Sequence, residues 1–146
     1  MIPITLEHYF RDKRERFYQE YQVSFEHDAL VVIGLANEVL RDVEKQGVTL
    51  YPNTSGDMVR SGWRPPSYNN KIPTASLTSL HMRARAIDVE DPHHGIVSFL
   101  FDDFKRLGLQ SILATRGVWC EHPDDTPTWC HMQSTPPGSK NRFFHP

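Results

Sequence analysis

The sequence predicts an α+β fold in a single domain spanning residues 1–146, with a small antiparallel sheet flanked by about three helices. Three observations predict it. Apolar residues recur at helical spacing near the start of the chain, through Leu30–Val43 and again over Ile96–Leu107. Short runs with strand-like alternation, Ala84–Glu90 and Thr128–Ser134, stand apart from those helices. Stretches rich in Pro, Gly, Asn and Ser separate the two kinds of pattern.

Leu6, Tyr9, Phe10, Phe17 and Tyr21 suggest a first amphipathic helix over Thr5–Tyr21, with Thr5 as its cap. His8 stands where the Glu or Gln of a capping box belongs. A second helix follows, capped by Asp28, with Leu30, Ile33, Ala36, Val39 or Leu40, and Val43 on one face and Gly47 as its stop. About twenty periodic residues is too long for a strand.

From Val48 to Asp57 the composition is that of a loop, and Met58–Arg64 reads as a short strand. Pro65–Lys71 holds two prolines, which cannot sit inside a helix or a central strand, and reads as a surface loop framing a cleft. Ala84–Glu90 is a strand with Asp88 near its end. A third helix runs through Ile96, Phe99, Leu100, Phe104 and Leu107 to Gly108. Ser111–Cys120 and Thr128–Ser134 read as two more strands, joined by Glu121–Pro127, before an irregular tail anchored by its aromatic residues.

The formal charge of −2 argues against nucleic acid as the main partner, since phosphate binding needs an excess of Lys and Arg. No apolar run has the length of a membrane span. The start of the chain has neither the basic residues nor the apolar stretch of a secretory signal, so synthesis in a cytoplasm is expected. A reducing compartment favours Cys120 and Cys130 as free thiols, and an oxidising exterior would allow a bridge between adjacent strands. The expected state is a monomer.

Two histidines and an aspartate stand out against this background. His81, Asp88 and His131 lie in otherwise apolar segments separated by a long connection, and three such ligands with an open fourth position are what catalytic zinc requires. His8, His27, His93, His94, His122 and His145 carry no comparable pattern.

Ser79-x-His81-x-x-Ala84-x-Ala86-x-Asp88 resembles the Ser-x-His-x-x-Gly-x-Ala-x-Asp motif of the zinc D-alanyl-D-alanine carboxypeptidases and related phage endolysins, which share the hedgehog-like peptidase fold. Ser61-Gly62-Trp63-Arg64 is similar to the Ser-Gly-Tyr-Arg motif that precedes it there, and Trp129-Cys130-His131 to the closing Trp-x-His. The resemblance covers roughly Val59 to Gln133. It implies a Zn2+ ion held by His81, Asp88 and His131 on the sheet, and Arg64 binding a carboxylate or carbonyl of a peptide from peptidoglycan. Ser79 is then expected to orient a ligand, and Tyr68 and Trp129 to wall the substrate site.

Two positions depart from the family. Its glycine is Ala84, which is strained if the backbone there has a positive φ. The acidic general base three positions before the last histidine is Thr128, which cannot take a proton at neutral pH. Glu121 is the first replacement expected, because a carboxylate at the end of one strand can face a ligand on its neighbour; Asp125 and then Asp124 come next. The expected protein is a phage lysis enzyme, acting at the cell wall after release or carried in the virion. The rival expectation is a non-catalytic zinc-binding virion or interaction protein on the same scaffold.

Overall fold

The computed structural model describes the whole chain, Met1–Pro146, as an α+β fold of six helices and a small five-stranded sheet. The strands are β1 (Val59–Ser61), β2 (Ala86–Glu90), β3 (Trp119–Glu121), β4 (Trp129–Gln133) and β5 (Phe143–Phe144), lying side by side in the order β1-β2-β4-β3-β5. The first three pairings are antiparallel and the last, β3 with β5, is parallel, so the sheet is mixed rather than antiparallel. The tail expected to be irregular supplies β5. Cys120 N–H donates to Arg142 O and His122 N–H to Phe144 O, which seats it along β3.

The first expected helix is broken into α1 (Leu6–Phe10) and α2 (Lys13–Arg16). Arg11 has a φ of 54°, outside the helical region, and its guanidinium makes two hydrogen bonds of 3.0 Å to the buried Asp57 carboxylate. His8 fills the missing capping-box place: its N–H donates to Thr5 Oγ1, while its Nδ1 accepts from Thr5 N–H.

Helix α3 (Ser24–Lys45) begins four residues before Asp28, which lies inside it. Its buried stripe is Ala29, Val32, Ile33, Ala36, Val39, Leu40 and Val43; Leu30, expected on that stripe, faces solvent. Pro65–Lys71 is not a simple loop, because Pro66 opens the short helix α4 (Pro66–Asn69). Helix α5 (Gly95–Leu107) matches its expected range, and the Asp91 carboxylate accepts from Ile96 N–H and Val97 N–H at its start.

Ser111–Cys120 is the clearest departure. Ser111 Oγ caps helix α6 (Ile112–Arg116), Gly117 at φ 69° ends it, and only then does β3 begin. The helices thus number six where about three are expected, the surplus being short pieces of one or two turns.

Alternation along the strands divides the sheet into two faces. Ile87, Val89, Cys120, Cys130 and Met132 join the hydrophobic core under α3 and α5. Asp88, Glu121, His131 and Gln133 occupy the odd-and-even partner positions on the other face. Both cysteines are buried and free, and Cys130 faces away from His131. Trp63 is a core residue ringed by Phe10, Tyr21 and Phe25 at 5.8 to 6.0 Å between ring centres. No helix is long and apolar enough to cross a membrane.

Candidate metal centre

The two central strands bring Asp88 directly opposite His131. His81 arrives from a different element, a 3-10 turn over Leu80–Arg83 whose first free amide is capped: His81 N–H donates to Ser79 Oγ. Ser79 therefore acts on the backbone that carries His81. Ala84 then adopts the left-handed conformation at φ 56°, which turns the chain into β2 and is the strained alternative for a residue with a Cβ.

One side-chain atom from each of His81, Asp88 and His131 lies within 4.8 Å of the others, a spacing that can hold a metal ion. The two rings are oriented by their outer nitrogens. His81 Nδ1–H donates to Gly62 O at 2.8 Å, so its bare Nε2 points inward, 3.2 Å from Asp88 Oδ1. His131 presents the other nitrogen. Gln133 Nε2 donates to Thr135 O, which fixes its Oε1 as acceptor for His131 Nε2–H at 3.0 Å and leaves Nδ1 facing Asp88 Oδ1 at 2.8 Å. Sequence reasoning missed Gln133, although a residue two places along a strand shares its face with the ligand.

Burial alone depresses the basicity of both rings, and for His81 it prevails. For His131 the hydrogen bond and charge of Asp88, followed by Glu121, outweigh it and push the ring up to about 9. Asp88 is held well below the usual carboxylate range: burial opposes this, and the two histidines overcome it. Without metal, then, His131 Nδ1 carries a proton toward Asp88.

A metal must displace that proton, so its affinity is expected to fall about tenfold for each pH unit below about 9. The sign reverses for the metal-free protein. A ring held above its ordinary 6.5 stabilises the fold fully below that value and loses the contribution as pH rises through about 9. Calorimetry in buffers of different ionisation enthalpy, near neutral pH, should read close to one proton released per metal bound; no release contradicts the assignment.

The three side chains open into a cleft of about 1290 Å³ lined by Arg64, Tyr68, Glu121, Asp125 and Trp129 as well as Ser79, His81, Asp88 and His131. Arg64 N–H donates to His81 O, and its guanidinium stands 3.8 Å from Asp88 Oδ2. Glu121 lies one residue beyond the Cys120–Met132 pair and its carboxylate reaches to 3.9 Å from His131 Nδ1. Burial raises its pKa, with His131 acting in the opposite direction. The other acidic candidates are engaged elsewhere: Asp125 pairs with His145 at 2.6 Å, and Asp124 is an exposed partner of His122. Thr128 accepts from Arg60 at 2.9 Å, and that guanidinium covers the Trp129 ring. Comparison of the chain with models of known families, with curated proteins and with solved structures gives no match.

Proposed function

We propose that the chain is a zinc peptidase that hydrolyses a peptide bond in the bacterial peptidoglycan stem, as a D,D-carboxypeptidase or an endopeptidase of the hedgehog-like fold. The observation that carries this reading is the cleft in which His81, Asp88 and His131 converge with a partly buried carboxylate, Glu121, beside them. The three motifs that resemble the peptidase family supply every one of the ligands and Arg64.

Two imidazoles and a carboxylate form a donor set that suits zinc, and both rings already have their outer nitrogens tied to acceptors, as metal-bound histidines do. Zinc bound there would polarise the scissile carbonyl and acidify a water. Glu121 takes the proton from the attacking water and returns it to the leaving nitrogen, a task favoured by a carboxylate whose basicity burial has raised. Arg64 donates to a substrate oxygen through its planar fork. Tyr68 and Trp129 form walls of the cleft. The reading extends to a phage-encoded monomer that meets the wall after release or in the virion.

Incubation of the zinc-loaded protein with purified muropeptides, followed by mass spectrometry, tests this. Loss of a terminal D-alanine or scission of the stem is expected. Stoichiometric zinc without cleavage would establish the non-catalytic zinc-binding reading, and failure to bind zinc would defeat both.

A further inference from the structure

Helix α2 brings a second cation to the cleft from outside the segment that resembles the peptidases. Lys13 lines the cleft with Arg64 and Tyr68. Its ammonium donates to Trp63 O at 3.0 Å and lies 5.0 Å from the centre of the Tyr68 ring, so its two direct partners are a neutral carbonyl and a neutral ring. Phe17, one turn on, packs edge-on against Tyr68 and keeps this segment over α4.

Arg64 is equally short of partners. Its side chain is 14% exposed, its Nε is buried with no acceptor, and the nearest carboxylate oxygen, Asp88 Oδ2 at 3.8 Å, is beyond hydrogen-bond length. Asp88 is already committed to two histidines. Two cations in a shared, partly dehydrated space disfavour one another, and a planar anion accepting from both relieves the cost. With a divalent ion in place, positive charge in the cleft exceeds what Asp88 and Glu121 neutralise.

We infer that Lys13 and Arg64 form a carboxylate subsite beside the metal centre, which selects a peptide ending in a free carboxylate next to the scissile bond. The inference rests on the peptidase reading for its substrate and makes the enzyme a carboxypeptidase rather than an endopeptidase. Lys13 is a specificity residue in this scheme. Burial, then the charge of Arg64, lowers its pKa to about 8. The groups facing it are Arg64 and Tyr68 across the cleft, with Asp12, Arg11 and Arg16 along its own segment. Carboxylate binding should therefore decline as pH rises through about 8.

Binding of N-acetyl-D-alanine and of N-acetyl-D-alaninamide, measured by calorimetry on the zinc-loaded protein and by NMR on the metal-free one, tests the subsite without requiring turnover. The acid is expected to bind about tenfold tighter than the amide. Lys13→Gln keeps a donor for Trp63 O but no charge; it should weaken the acid about tenfold and leave the amide within about twofold. Lys13→Arg should restore acid binding and abolish its decline near pH 8. Equal affinity for acid and amide, no binding of the acid, or an unchanged acid affinity in Lys13→Gln would overturn the inference. Absent muropeptide cleavage combined with charge-selective binding would instead defeat the peptidase reading alone.

Discussion

Glu121→Gln is expected to slow muropeptide turnover by about a hundred- to ten-thousand-fold while the zinc content stays at the wild-type level. The amide keeps the size and hydrogen-bonding reach of the carboxylate but cannot accept a proton from water. Metal binding should survive, because Glu121 stands 3.9 Å from His131 Nδ1 while Asp88 provides the nearer anion at 2.8 Å. Turnover numbers, measured on protein whose zinc has been determined, separate the two effects. Wild-type turnover in Glu121→Gln would move the base elsewhere, and Asp125 is the only other candidate carboxylate lining the cleft.

Gly62→Ala is expected to cost stability on a scale reached by few single substitutions, about 3 kcal/mol or more. A Cβ at this position would run into the backbone carbonyl of Tyr9 and the edge of its ring. Tyr9 cannot yield easily, because it is fully buried and its hydroxyl donates to Ala86 O at 2.8 Å, locking α1 onto β2. The loss should reach the metal centre too, since Gly62 O orients His81. Thermal unfolding and a zinc titration, run beside Gly34→Ala, check both. Gly34 lies in α3 with nothing near its would-be Cβ, and alanine there should stabilise by up to about 1 kcal/mol. An unchanged midpoint in Gly62→Ala would show that α1 does not press on the strand as described.

The parts of the centre legible in the sequence are those governed by local spacing. Asp88 and His131 sit on strands, where alternation fixes which face a side chain takes, and the same rule put Cys130 in the core. Helices α3 and α5 were legible because their apolar stripes repeat over several turns. Short elements were not. The Val, Leu and Ile content around Ser111–Cys120 favours a strand, yet a serine cap and a left-handed glycine convert five residues into α6. β5 is two residues long, and its place depends on hydrogen bonds to β3 that no local pattern encodes. Lys13 enters the cleft only because Arg11 breaks the first helix and tertiary packing carries α2 across Tyr68. Leu30 shows the converse, an apolar residue within a periodic run left facing water.

The pairing of Thr128 with Arg60 has a consequence for how such centres are compared. Adjacent strands lie only about 4.8 Å apart, so a carboxylate that vanishes from the mouth of one strand can be replaced from the end of the next. Under the proposed reading, that exchange would move the acid seven positions in chain order, from Thr128 to Glu121, and in space would change the flank from which a proton travels. A comparison aligned on position 128 alone would score the centre as inert. Here Thr128 belongs to the clamp on Trp129, through the Arg60 guanidinium it shares with that ring. The site is better defined by its neighbours across the sheet than by its order along the chain.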